Sequence, residues 1–284
     1  MGYQIPPDEK WPIVTPGVDI PGDNPIHVSP PRKKRKGVIG STLAAIAALL
    51  VKIKSIIAIA EILPVAKTLI TMAISLGVYT FFFGPLFALA LVVMIFFHEM
   101  GHVVAAKAEG VKSSSPLFIP MLGAVILQKQ MPKDAFSEAK IAIAGPMSGA
   151  LFSALALFLY QLTHSQFMLL AAYIGFLINL FNLIPVSPMD GGRVLGMLSK
   201  WFQLVGLLIV LALIFTGQFS PLLILIFVVG LMQMMVRFRR PNPDYYNVEP
   251  WSRWVIGLLY VSLMAFLGWG MYLTDSILRV SILR

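Results

Sequence analysis

The sequence predicts an all-α polytopic membrane protein with about seven transmembrane helices and one small β-hairpin that dips toward the membrane. Three observations predict it. Hydrophobic residues make up 58% of the 284 and charged residues only 12%, about half the charged share of an ordinary soluble domain. The apolar residues gather in runs near the roughly 20 needed to cross a hydrocarbon core. Between two of those runs lies a stretch rich in serine, proline and β-branched residues, which suits an extended backbone better than a helix.

Residues 1–36 hold eight prolines and no apolar core of signal-peptide length, so they are expected to form an extended cytoplasmic tail. The tail ends in Arg32-Lys33-Lys34-Arg35-Lys36. That cluster has two readings, a nuclear-import signal or a charge cluster flanking a membrane segment, and the apolar runs that follow favour the second. Residues 37–66 are apolar but interrupted by Lys52, Lys54, Glu61 and Pro64. They read as an amphipathic helix on the membrane surface, or as a short hairpin.

The predicted spans are Thr68–Phe83, Leu86–Lys107, Ile141–Leu162, Phe167–Ile184, Val194–Phe215, Pro221–Val236 and Trp254–Leu273. Residues 67–200 contain every residue suited to chemistry, and residues 201–284 supply C-terminal transmembrane helices. Within the connection from the second to the third span, Ser113–Pro116, Pro120 and Gly123 break any helix, while Val125-Ile126-Leu127 favours a strand.

The formal net charge is +9, but the basic residues cluster beside apolar runs rather than forming a broad face. The expected partner is the lipid bilayer and not nucleic acid. Lys107, Lys112, Lys129, Lys133 and Lys140, then Arg193 and Lys200, then Arg237, Arg239 and Arg240, all fall on the cytoplasmic side of a seven-span count. Arg279 and Arg284 are the discord. With no cysteine in the chain, disulfides and thiolate metal sites are excluded, and any metal must be held by His, Asp or Glu.

The second span contains His98-Glu99-Met100-Gly101-His102. Residues i and i+4 share one helix face, so His98 and His102 can hold one metal together. Glu99 stands where it can polarise a metal-bound water and carry its proton. It is the only Asp, Glu, Lys or Arg between Lys67 and Lys107, and an ionisable group within a span costs ~2.5–3.5 kcal/mol on insertion scales. A bland alternative is a set of polar side chains that hydrogen-bond neighbouring helices.

Two histidines leave zinc short of the three protein ligands usual in hydrolases. His27 lies in the tail and His164 in a far-side loop. No charged side chain occurs from Ile141 to Met189, and the next is Asp190, in Asn182-Leu-Ile-Pro185-Val-Ser-Pro188-Met-Asp190-Gly191-Gly192. The prolines and glycines should break the helix at membrane depth. Asp190 is then either a turn or capping aspartate or the third ligand, and the incomplete histidine pair favours the ligand.

Together, His98-Glu99-x-x-His102 and Asn182-x-x-Pro185-x-x-Pro188-x-Asp190-Gly191-Gly192 resemble the site-2 protease family of intramembrane zinc metalloproteases, over about residues 68–200. The resemblance implies one Zn2+ per chain held by His98, His102 and Asp190, with Glu99 as general base. Asn182 would contact substrate or steady the developing oxyanion. Leu117–Gln130 resembles the family's β element, whose Gly123, Ala124 and Val125 are expected to pair with unwound substrate.

The implied activity is hydrolysis of peptide bonds in or near transmembrane segments, by zinc-activated water, in regulated intramembrane proteolysis of single-span proteins. The chain looks like a compact form, with no room for a PDZ domain between Lys107 and Lys140, and its layout suggests a prokaryotic plasma membrane. In one respect it departs from the family: Gly149 stands where members often carry Asn after Gly145-Pro146. Gly145 and Gly149 then read best as a small-residue surface for close helix packing, with Ser148 the alternative polar group. The competing function is a membrane protein that binds or transports zinc without hydrolysis. Oligomeric state is not legible.

Overall fold

The chain turns back on itself at a single glycine. Helix α1 (Pro64–Phe83) ends at Gly84, whose φ of +84° suits a residue without Cβ, and Pro85 opens α2 (Pro85–Ala108) at a position where its missing N–H costs nothing. The computed structural model describes residues 64–216, 221–239 and 243–282. The Pro-rich tail and nearly all of the surface segment expected over residues 37–66 lie outside the described residues.

After α2 comes the predicted hairpin. Strand β1 (Leu117–Ile119) pairs antiparallel with β2 (Gly123–Val125), with Leu117 opposite Val125 and Phe118 opposite Ala124. Met121 at φ +66° and Gly123 at φ +93° make the turn. A bridge between Ser113 and Gln128 extends the ribbon toward its base. Of the expected strand Val125–Leu127, only Val125 lies in β2.

Side chains of α1 clasp the outer edge of β1. Thr68 Oγ1 donates to the Pro116 carbonyl at 2.8 Å, the Phe118 N–H donates to Thr71 Oγ1 at 3.2 Å, and the Met121 N–H donates to the Tyr79 phenol at 3.1 Å. Since the Phe118 N–H points away from β2, its partner Ala124 must also aim its N–H and C=O away from the pair. Ala124 also lines the cavity described below.

Helix α3 (Ala135–Thr163) starts at Asp134, whose side chain accepts from the Ser137 N–H at 2.7 Å. A short turn at His164 and Ser165 leads into α4 (Gln166–Asn182). Residues 183–189 are irregular and deliver the chain into α5 (Asp190–Leu198), followed by α6 (Phe202–Phe215), α7 (Pro221–Arg239) and α8 (Pro250–Ile282).

The predicted span Val194–Phe215 is thus corrected to two helices. Ser199 takes an extended backbone (φ −159°, ψ 142°) and ends α5. Five of the nine residues of α5 are charged or glycine, and nine residues are too few to span a hydrocarbon core. α1, α2, α3, α7 and α8 are long and apolar enough to cross a membrane. α4 and α6 are apolar but shorter, 17 and 14 residues, or about 26 and 21 Å of helix. This is the helix set of a multi-pass membrane protein, with a two-stranded antiparallel sheet.

Small side chains set how closely the helices approach. Ala90, Ala139, Ala142 and Ala172 are fully buried in the main cluster, which Phe176, Leu183 and Leu267 fill out. A second cluster joins α6 and α7 to the irregular segment through Val186, Leu207, Val210 and Ile226. Large apolar side chains such as Phe81, Leu151 and Leu258 point outward, as expected where lipid is the solvent.

Candidate metal centre

On α2, His98 and His102 lie one turn apart and turn their rings toward α5. Their Nε2 atoms are 3.1 Å apart, and Asp190 Oδ2 is 3.2 Å from each. All three residues are buried. The irregular segment after α4 is what brings Asp190 here, since it places the first residue of α5 against the middle of α2.

The remaining ring nitrogens settle the tautomers. His98 Nδ1 lies 2.8 Å from Asn179 Oδ1, and His102 Nδ1 lies 2.8 Å from the Ile141 carbonyl. The Asn179 amide is oriented by its other end, where Nδ2 donates to the Gly175 carbonyl at 2.7 Å. Both Nδ1 atoms therefore face acceptors and carry the protons. Both Nε2 lone pairs then face a carboxylate oxygen. Three acceptors at 3.1–3.2 Å repel one another, and a cation or a proton among them relieves that repulsion.

Tetrahedral zinc with ligands at about 2.0–2.2 Å sets its donor atoms roughly 3.3 Å apart. The triangle fits that spacing, and a nitrogen–nitrogen–oxygen donor set suits zinc.

The centre opens into a cavity of about 940 Å³. Glu99, 7% exposed, lines it beside the three clustered residues. So do Asn182, Gly123, Ala124 and Val125, and the far wall is formed by Leu225, Ile226 and Val229 of α7. His98, Glu99, His102, Asp190, Asn182, Gly123, Ala124 and Val125, the expected ligands, base and substrate contacts, all line this one space.

Other contacts were not legible. Asn179 and the Ile141 carbonyl orient the two rings, yet neither belongs to a motif. A second amide one turn before Asn182, within an apolar helix, was the available signal for Asn179. The two glycines of α3 meet the site directly: a Cβ on Gly145 would lie 2.2 Å from His102 Nε2, and one on Gly149 would lie 2.1 Å from the Asn179 amide. The small-residue surface read from the sequence is therefore a surface for the site's own side chains. Ser148 is engaged elsewhere, donating to the Phe97 carbonyl at 2.7 Å.

At the basic end of the helices, Arg193 and Glu138 also line the cavity. They pair at 3.2 Å, and Tyr245 donates to Glu138 Oε2 at 2.8 Å. Burial, then the Glu138 charge and this hydrogen bond, hold the Tyr245 phenol well above its usual range.

Residues 86–166 and 159–214 match the model of peptidase family M50. Over these residues, somewhat less than half of its length, the chain is similar to this family, the site-2 proteases. Among similar proteins, a zinc metalloprotease of Methanocaldococcus jannaschii is 35% identical over 125 residues, covering 42% of this chain and 36% of that protein. Stage IV sporulation protein FB of Bacillus subtilis is 29% identical over 126 residues, covering 44% of this chain and 43% of that protein. The matches thus span less than half of these curated relatives. A solved site-2 protease from Methanocaldococcus jannaschii matches 62% of this chain and 88% of its own, at 25% identity and a TM-score of 0.38.

Proposed function

We propose that the chain is an intramembrane zinc endopeptidase that cuts peptide bonds in or near the transmembrane segments of single-span proteins. The observation that carries the reading is the convergence of His98, His102 and Asp190 on one point, with Glu99 on the wall of the same cavity and apolar helices around it. His98, His102 and Asp190 are the ligands. Zinc held there would bring the pKa of a bound water toward about 7 and polarise the substrate carbonyl.

The chain's own residues do the rest. Glu99 accepts a proton on its carboxylate and hands it to the leaving amine. The Asn182 amide donates to the carbonyl oxygen as charge develops there. Substrate must first unwind, because a helix hides its amide groups in hydrogen bonds. The outward edge of β2 at Ala124 offers an alternative pairing by strand addition, with Gly123 and Val125 beside it. The clasp of α1 on β1 supports this use, since it occupies the opposite edge of the sheet.

The seven-span arrangement, with the site toward the cytoplasm, is part of the proposal. Lys140, Arg193, Arg237 and Tyr245 are linked through Glu109, Glu138, Gly196 and Ala135 at the end of the helices where Asp190 sits. A Lys- and Arg-rich end is favoured inside.

The test uses purified protein in liposomes with a panel of single-span substrates, comparing wild type with Glu99→Gln and measuring zinc in both. Cleavage by wild type alone, with about one zinc per chain in each, supports the protease. Equal zinc with no cleavage across a broad panel favours a zinc-binding or transport protein. No zinc in either removes the metal reading.

A further inference from the structure

We infer that Asn179 is a positioning residue for His98, and that Gly149 provides the space in which it works. The inference rests on the zinc reading of His98, His102 and Asp190. It concerns a residue outside both sequence motifs, on the helix that precedes the Asp190 segment.

Asn179 is fully buried in α4. Each end of its amide has a separate task. Nδ2 donates to the Gly175 carbonyl one turn back at 2.7 Å, and Oδ1 faces His98 Nδ1 at 2.8 Å. Because the donor end is committed, the amide can meet the imidazole only as an acceptor. The proton of His98 is therefore held on Nδ1, and the Nε2 lone pair is aimed at Asp190 Oδ2 and His102 Nε2, 3.2 and 3.1 Å away.

Helix α3 passes directly over this amide. A Cβ on Gly149 would lie 2.1 Å from both Asn179 Oδ1 and Nδ2. Even alanine at 149 must push the amide off His98 or push the helices apart.

Packing alone does not explain Asn179. Leucine fills nearly the same volume, and a buried amide in an apolar helix is costly unless both ends are hydrogen-bonded. The imidazole N–H supplies the partner that the helix cannot. Groups that hold the second nitrogen of a metal-binding histidine typically change metal affinity about 10–100-fold.

The experiment measures zinc affinity by chelator competition on the full chain in detergent, together with the melting temperature of the metal-free protein. Asn179→Leu and Gly149→Ala are expected to bind zinc about 10–100-fold more weakly. Asn179→Asp keeps an acceptor against His98 and is expected to stay within a few-fold of wild type. Metal-free Asn179→Leu is expected to melt lower than wild type, because the buried His98 Nδ1–H loses its acceptor, so the deciding readout is zinc affinity.

A packing role predicts a lower melting temperature with zinc affinity unchanged. That result, or equal weakening by Asn179→Asp and Asn179→Leu, overturns the inference while leaving the zinc reading intact. A wild type that binds no zinc overturns both.

Discussion

Tyr245 donates its phenol to Glu138 at 2.8 Å, joining the connection between α7 and α8 to the first turn of α3. Glu138 turns its other oxygen to Arg193, 3.2 Å away and three residues beyond Asp190. The same connection is held by the Ala135 N–H, which donates to the Tyr245 carbonyl at 2.9 Å, and by Arg253, which donates to the Tyr246 and Leu198 carbonyls. A loop remote in sequence thus secures the start of α5, and with it the aspartate of the metal centre.

Tyr245→Phe removes one hydrogen bond to a charged acceptor, a loss of about 1.5–3 kcal/mol. The expected result is a lower melting temperature in detergent, with zinc content unchanged at saturating metal. The pH dependence has a defined sign. A phenol held above its unfolded value of about 10 contributes stability below that pH and loses it as the pH rises through the folded value. Wild type should therefore lose stability more steeply above about pH 10 than Tyr245→Phe. Thermal melts of both proteins across that range check it.

Gly145→Ala addresses the second histidine. The added Cβ would sit 2.2 Å from His102 Nε2, so the ring must rotate away from Asp190 or α3 must shift. Zinc affinity should fall by about 10–100-fold or more, the scale of lost ligand support. Gly77→Ala, where a Cβ meets nothing within 4 Å, should leave affinity unchanged. Chelator titration of the two variants separates a local effect from a general dislike of alanine.

Much of this centre was legible because its signals are local. His98 and His102 share a face by helix geometry, Glu99 is isolated in an apolar run, and the prolines around Asp190 announce a break in the helix. The hairpin followed from Pro116, Pro120 and Gly123. What was not legible depends on contacts between distant parts of the chain. Gly149 signals a close approach, but only the fold says that the neighbour is Asn179. Ser199-Lys200 interrupts the apolar run from Val194 to Phe215, but one polar pair does not say by itself that a helix ends there, so the break was missed. Tyr245 carries no local sign that its partner is Glu138.

The clasp on β1 makes a prediction about substrate binding. Thr71→Val removes the acceptor of the Phe118 N–H, and Tyr79→Phe removes that of Met121. Each loses a hydrogen bond worth about 1 kcal/mol, or roughly five-fold in an equilibrium constant. If β2 receives substrate, the double variant should raise KM several-fold with kcat and zinc content little changed. An unchanged KM would remove the hairpin from substrate binding. A drop in kcat alone would place its effect on the chemistry instead.

Metal removal and Glu99→Gln should fail in different ways. Dialysis of wild type against a chelator should abolish cleavage, and zinc should restore it, because the ligand rings are held by Asn179 and the Ile141 carbonyl whether or not metal is bound. Glu99→Gln keeps all three ligands, so zinc content should match wild type while the cleavage rate falls by about 10²- to 10⁴-fold, the usual contribution of a general base. Added zinc should not rescue it. Rescue of Glu99→Gln by excess zinc would make Glu99 a contributor to metal binding, and proton transfer would have to be assigned elsewhere on the cavity wall.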